Sequence, residues 1–97
     1  MVVALERFDL RIPGCSSLKQ KRHVVKSLIG ALRSTFNVSV AEVEHLDLWQ
    51  RTGIGIAAVG ADEFHVRRVM QRIERFVDAW GGVELIDREL TLHAPEA

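Results

Sequence analysis

Residues 14–26, Gly-Cys-Ser-Ser-Leu-Lys-Gln-Lys-Arg-His-Val-Val-Lys, put four cations, a thiol, two hydroxyls and an imidazole at the start of a helix. At about 100° per residue, Lys19, Arg22 and Lys26 share one flank of that helix, and Arg33 continues it two turns on. Lys21 falls at the edge of the apolar stripe and is expected to snorkel outward. No acid occurs between residues 10 and 41. A row of cations without counter-ions is a grip for phosphates, and Lys19, Lys21, Arg22, Lys26 and Arg33 are the candidate nucleic-acid contacts. The commonplace alternative is a solvated helix face. Cations in a first turn oppose the helix dipole, however, and a locally costly arrangement favours a functional origin.

Other chemistry is poorly supplied. Cys15 is the only cysteine, so internal disulfides and zinc sites built on cysteine pairs are excluded. Its place beside Lys19 near a helix start would lower a thiol pKa, yet no local histidine and acid complete a catalytic set. Glu42, Glu44, His45 and Asp47 cluster, but strand alternation sends Glu44 and His45 to opposite faces, and no second histidine stands at a ligand spacing. The phosphate-loop and nucleophile-elbow patterns are absent. We therefore expect no metal, no cofactor and no catalysis. Trp49, in a connection, is a candidate partner anchor or stacking platform, the commoner role of such a residue being to cap the edge of the core.

The elements that position these residues follow from periodicity. Residues 2–12 alternate as a strand, with Val2, Ala4, Phe8, Leu10 and Ile12 on one face and Val3, Leu5, Arg7, Asp9 and Arg11 on the other. Pro13-Gly14 ends it. Ser17 and Gln20 form a capping-box pattern, so a helix begins near Leu18 and stops near Phe36-Asn37. Residues 37–45 and 51–60 read as two further strands joined by 46–50. Asp62 caps a second helix from about Glu63 to Trp80, which Gly81-Gly82 terminates. Its outer Arg68, Arg72 and Arg75 alternate with Glu74 and Asp78, as in an ordinary salt-bridged face. Residues 83–93 form the last strand.

The order β-α-β-β-α-β, with one apolar stripe per helix, predicts a ferredoxin-like α+β domain. It is a four-stranded antiparallel sheet of order 4-1-3-2 with both helices on one face, and residues 1–97 form a single domain. The uncovered face is then small and apolar: Val3, Leu5, Gly53, Gly55, Ala57 and Val59. Such a face, or part of it, is expected to be a homo-oligomer contact, the alternative being a weakly solvated face in a monomer.

Ninety-seven residues suffice for one core. Residues 1–36 carry seven Lys/Arg and two Asp/Glu, and residues 37–97 carry six and eleven, so a net charge of zero hides a +5/−5 division. Only a local patch can then attract a polyanion. No apolar run approaches the roughly 20 residues that cross a bilayer, and no secretory leader pattern opens the chain, so a cytoplasmic protein away from membranes is expected.

Three motifs lie in order: Ile-Pro-Gly-x-x-Ser-Leu-Lys-x-Lys-Arg at 12–22, Asn-Val-Ser-Val-Ala-Glu-Val at 37–43, and Asp-Leu-Trp-Gln-Arg at 47–51. Together they resemble the YlxP-like bacterial family, catalogued as a domain of unknown function. The resemblance covers nearly the whole chain and carries over Ser17, Leu18, Lys19, Lys21, Arg22, Asp47, Trp49 and Arg51 as motif positions. It implies a ferredoxin-like fold. Genes of the family often neighbour those of translation initiation and ribosome maturation factors, which implies a ribosome-linked role with ribosomal RNA or ribosome-associated factors as partners. The acylphosphatases and metallochaperones of the same architecture are not matched: the loop at 13–17 has no arginine, and there is no cysteine pair. The alternatives that remain are a protein-interaction or homo-oligomerisation module without nucleic-acid binding and, after it, a ligand-sensing domain of this topology.

Overall fold

The computed structural model describes residues 1–95. The elements are β1 (Val2–Arg11), α1 (Leu18–Thr35), β2 (Ser39–Glu44), β3 (Arg51–Gly60), α2 (Glu63–Asp78) and β4 (Glu84–His93). All strand pairs are antiparallel, and the sheet order is β2-β3-β1-β4, the expected arrangement read from its other edge.

Local chemistry sets the helix starts. Ser17 Oγ accepts from the Gln20 amide at 3.1 Å, and Gln20 Oε1 accepts from the Ser16 amide at 2.9 Å and the Ser16 hydroxyl at 3.0 Å. The reciprocal bond of the box thus lands one residue before the cap, on Ser16. Asp62 Oδ1 accepts from the His65 amide at 2.8 Å. α2 ends at Asp78, two residues before Trp80, because the Trp80 amide turns back to the Val77 carbonyl in a tighter final turn.

Ala4, Phe8 and Leu10 of β1 and Ile54, Ile56 and Ala58 of β3 face the helices and close on Leu28, Leu32, Met70 and Ile73. Alternation also delivers Glu6 to this buried face, and Glu6 is only 2% exposed.

β2 departs from a regular strand. Its register with β3 shifts between Glu42 and Glu44, so Val43 and Glu44 curl over the open face. A methyl group on Gly53 would stand 2.6 Å from Glu44 Cβ, and one on Gly55 would stand 3.1 Å from Val43 Cγ1. The close approach that these two glycines permit is therefore made by their own chain. Gly53 is buried by its own β2 and so drops out of the expected oligomer contact, whereas Gly55 stays partly exposed along the open-face groove. Val3, Leu5, Ala57 and Val59 remain accessible, with Leu5 43% and Val59 64% exposed.

Candidate nucleic-acid interface

α1 lies over the β2 side of the sheet, with Val25, Leu28 and Leu32 downward. Lys21 points down with them and is 1% exposed. Its Nζ is 3.0 Å from Glu42 Oε2 and donates to the carbonyls of His45 and Leu46, the latter at 3.1 Å. Thr52 Oγ1 donates to the same Glu42 oxygen at 2.7 Å. Lys21 is therefore removed from the phosphate-facing set: four carbons of stem carry its ammonium under the helix, where a carboxylate and two carbonyls replace water. His45 sits at φ 59°, left-handed backbone uncommon outside glycine, and its carbonyl is one that Lys21 holds. The pair thus ties α1 to the bend that follows β2.

Lys19, Arg22 and Lys26 are exposed, and none lies within 4.0 Å of a carboxylate among the described residues. At about 1.5 Å per residue, they span about 10 Å of helix axis. Arg33 extends the row and is exposed, but donates from Nη2 to the Val40 carbonyl at 2.8 Å, covering the β2 edge. The contrast with the sheet is plain. There Arg7 meets Glu44, Asp87 and Glu89, Arg11 meets Glu84, Arg51 grips Asp9 through two bonds of 3.2 and 2.7 Å, and Arg88 meets Glu74.

α2 differs from the salt-bridged face expected of it. Arg67 pairs with Glu63 at 3.3 Å. Arg68 lies over the Phe64 ring at 5.7 Å, and Arg72 over Phe36 at 5.6 Å. Glu74 turns to Arg88 of β4, because its position on α2 faces that strand. Aromatic rings stand where acids were expected, so the outer arginines of α2 keep their net charge.

The acidic cluster around β2 is dispersed. Glu42 holds Lys21 and Thr52, Glu44 Oε1 lies 3.3 Å from Arg7 Nε, and His45 Nε2 lies 3.8 Å from Asp9 Oδ1. Among the described residues, no three such side chains converge as metal ligands. Asp47 and Trp49 are exposed on the connection between β2 and β3. Trp49 is 51% exposed and stands with exposed Leu46 and Leu48, clear of the core. Cys15 is buried, and its thiol donates to the Ser17 carbonyl at 3.4 Å.

Sequence reasoning passed over Glu6. No donor reaches either of its carboxyl oxygens, and the carboxyl's hydrogen-bonding neighbour is the Glu74 carboxyl. Burial first, then the neighbouring Glu74 carboxyl, pushes its pKa up to about 8, against the opposing pull of Arg88. The signal was its even position among Ala4, Phe8 and Leu10.

The architecture defines a ferredoxin-like domain carrying an uncompensated basic helix. Residues 3–90 match a family described as protein of unknown function (DUF503), and the chain belongs to that family. It is 40% identical over 68 residues to the uncharacterized protein YlxP of Bacillus subtilis (strain 168), covering 70% of this chain and 74% of that one. Among solved structures it is similar to the de novo designed protein Foldit4, with a TM-score of 0.53 over 99% of this chain and 100% of that chain. Their sequence identity is 14%, so this likeness concerns the fold alone. Among the described residues, no helix is long and apolar enough to cross a membrane.

Proposed function

We propose that this protein is a non-catalytic, cytoplasmic RNA-associated protein that holds a sugar–phosphate backbone on the exposed ridge of α1. The observation that carries the reading is the set Lys19, Arg22 and Lys26, free of carboxylates in a molecule whose sheet arginines are paired. Ribosomal RNA is the proposed ligand, in keeping with the ribosome-linked role that the family resemblance implies. Such contacts position the strand without reading its sequence. Among the described residues the open face presents no Phe, Tyr or Trp, so base readout on the sheet is not part of the proposal.

Three phosphate contacts on a single strand give a slope of log affinity against log salt of about −2. Binding of a ribosomal RNA fragment, followed by fluorescence anisotropy, should weaken roughly 15-fold between about 50 and 200 mM salt. The combined variant Lys19→Ala/Arg22→Ala/Lys26→Ala should lose most of the affinity and nearly all of the slope. Wild-type affinity in that variant would remove the ridge from the interface.

A second reading is a homo-oligomer formed through the open sheet face. The observation in its favour is a shallow groove of about 400 Å³ bordered by Leu5, Ala41, Val43 and Ala57, with exposed Val59 at the apolar end of the same face. Light scattering at high micromolar concentration should report a dimer for the wild type and a monomer for Val59→Glu. Equal masses for the two proteins would discard this interface. Leu46, Leu48 and Trp49 lie outside this contact and would serve as the anchor for a protein partner.

A further inference from the structure

A second cleft, of about 510 Å³, opens beside the ridge. Ile12, Pro13 and Val24 supply an apolar floor, Gly82 of the turn between α2 and β4 forms the far side, and Lys19, Gln20 and His23 stand along it. Lys19 belongs to both the ridge and the cleft. Its ammonium therefore sits where a backbone phosphate on the ridge would meet whatever the cleft holds.

Gln20 gives the cleft a fixed polar handle. Its Oε1 is committed to the Ser16 amide and hydroxyl, which sets the orientation of the side-chain amide. Its Nε2 makes no hydrogen bond among the described residues, so two donors of defined direction remain. His23 is exposed and likewise unbonded there, offering a ring face. Gly14 and Gly82 have no side chain, and a Cβ on either would meet nothing within 4 Å, so the space beside them is open.

We infer that this cleft takes the base of an unpaired nucleotide whose phosphate lies on Lys19. The inference rests on the ridge reading and adds to it an open, largely apolar cleft beside Lys19. A base is the occupant that fits both halves of the site. It is flat and largely apolar, it carries acceptors for the Gln20 amide, and it is joined to the anion that Lys19 attracts. The volume admits a purine. Burying one base should add about tenfold or more to affinity over the phosphate alone.

Amide chemical shifts of the whole protein, titrated separately with adenosine 5′-monophosphate, ribose 5-phosphate and N-acetylphenylalanine, test this. The nucleotide should move Gly14, Gln20, His23, Val24 and Gly82, and bind at least tenfold tighter than the sugar phosphate. Val24→Phe, which fills the floor, should erase that difference, and Lys19→Ala should weaken both phosphates. His23→Ala, at an exposed position, should reduce the preference for the nucleotide if Val24→Phe does not fold. Equal affinity for nucleotide and sugar phosphate overturns the base recess, and the ridge then stands or falls on its own salt slope. Tighter binding of N-acetylphenylalanine than of the nucleotide overturns it in favour of a peptide's aromatic end.

Discussion

Glu6→Gln is expected to raise the melting temperature at pH 9 by at least about 10 °C and to change it little at pH 5. The Glu6 carboxyl is on the buried face of β1, where no donor reaches it and the Glu74 carboxyl is its hydrogen-bonding neighbour. Its pKa stands at about 8 in the folded protein, against an ordinary value of 4.5. The folded state therefore keeps a proton that the unfolded chain gives up. Stability from this group is complete below pH 4.5, declines as pH rises, and is lost once pH passes about 8. At about 1.4 kcal/mol per pKa unit, the loss is on the order of 3–5 kcal/mol. For a domain of this size, each 1 kcal/mol moves the midpoint by roughly 4–8 °C. Glutamine keeps the shape, stays neutral at every pH, and can donate to Glu74. A gain of equal size at pH 5 and pH 9 would show that the carboxyl does not titrate as described.

Lys21→Met is expected to cost about 3–5 kcal/mol, read from urea denaturation, while leaving the RNA salt slope unchanged. The substitution keeps the stem and removes the ammonium. Glu42 then loses its cation, and the His45 and Leu46 carbonyls lose a donor in a site that is nearly closed to water. An uncompensated buried charge is what makes such a change severe. Lys21→Met/Glu42→Leu should recover a large part of the loss, and it gives the measurement a folded reference if the single variant does not fold. A cost under about 1 kcal/mol would show that the pair holds nothing together. Reduced RNA affinity in a folded Lys21 variant would return this residue to the phosphate contacts.

These two residues mark where the sequence was legible and where it was not. Six elements in their order, the sheet topology and both helix caps followed from alternation, helical spacing and Ser-x-x-Gln. Glu6 could have been read from the same alternation, since it shares the parity of Ala4 and Phe8, but a charged side chain is normally placed outside. Lys21 looked like one more member of a basic row. Its angle placed it near the core stripe, and only the Glu42 carboxylate and the bend at His45, more than 20 residues away, could draw it inward. Gly53 and Gly55 showed that a backbone approaches closely, without showing whose. The bulge in β2 supplied the answer from within the chain.

Periodicity, caps and charge distribution act within a few residues of one another, so the chain alone determined the fold, the basic helix and the small-residue strand. Which cations stay free was a different question. It depended on the carboxylates and carbonyls that strand pairing carries beneath each side chain, and on two turns brought together at one end to open a cleft beside Lys19. Those neighbours are distant along the chain, and only the folded arrangement brings their charges within reach of one another.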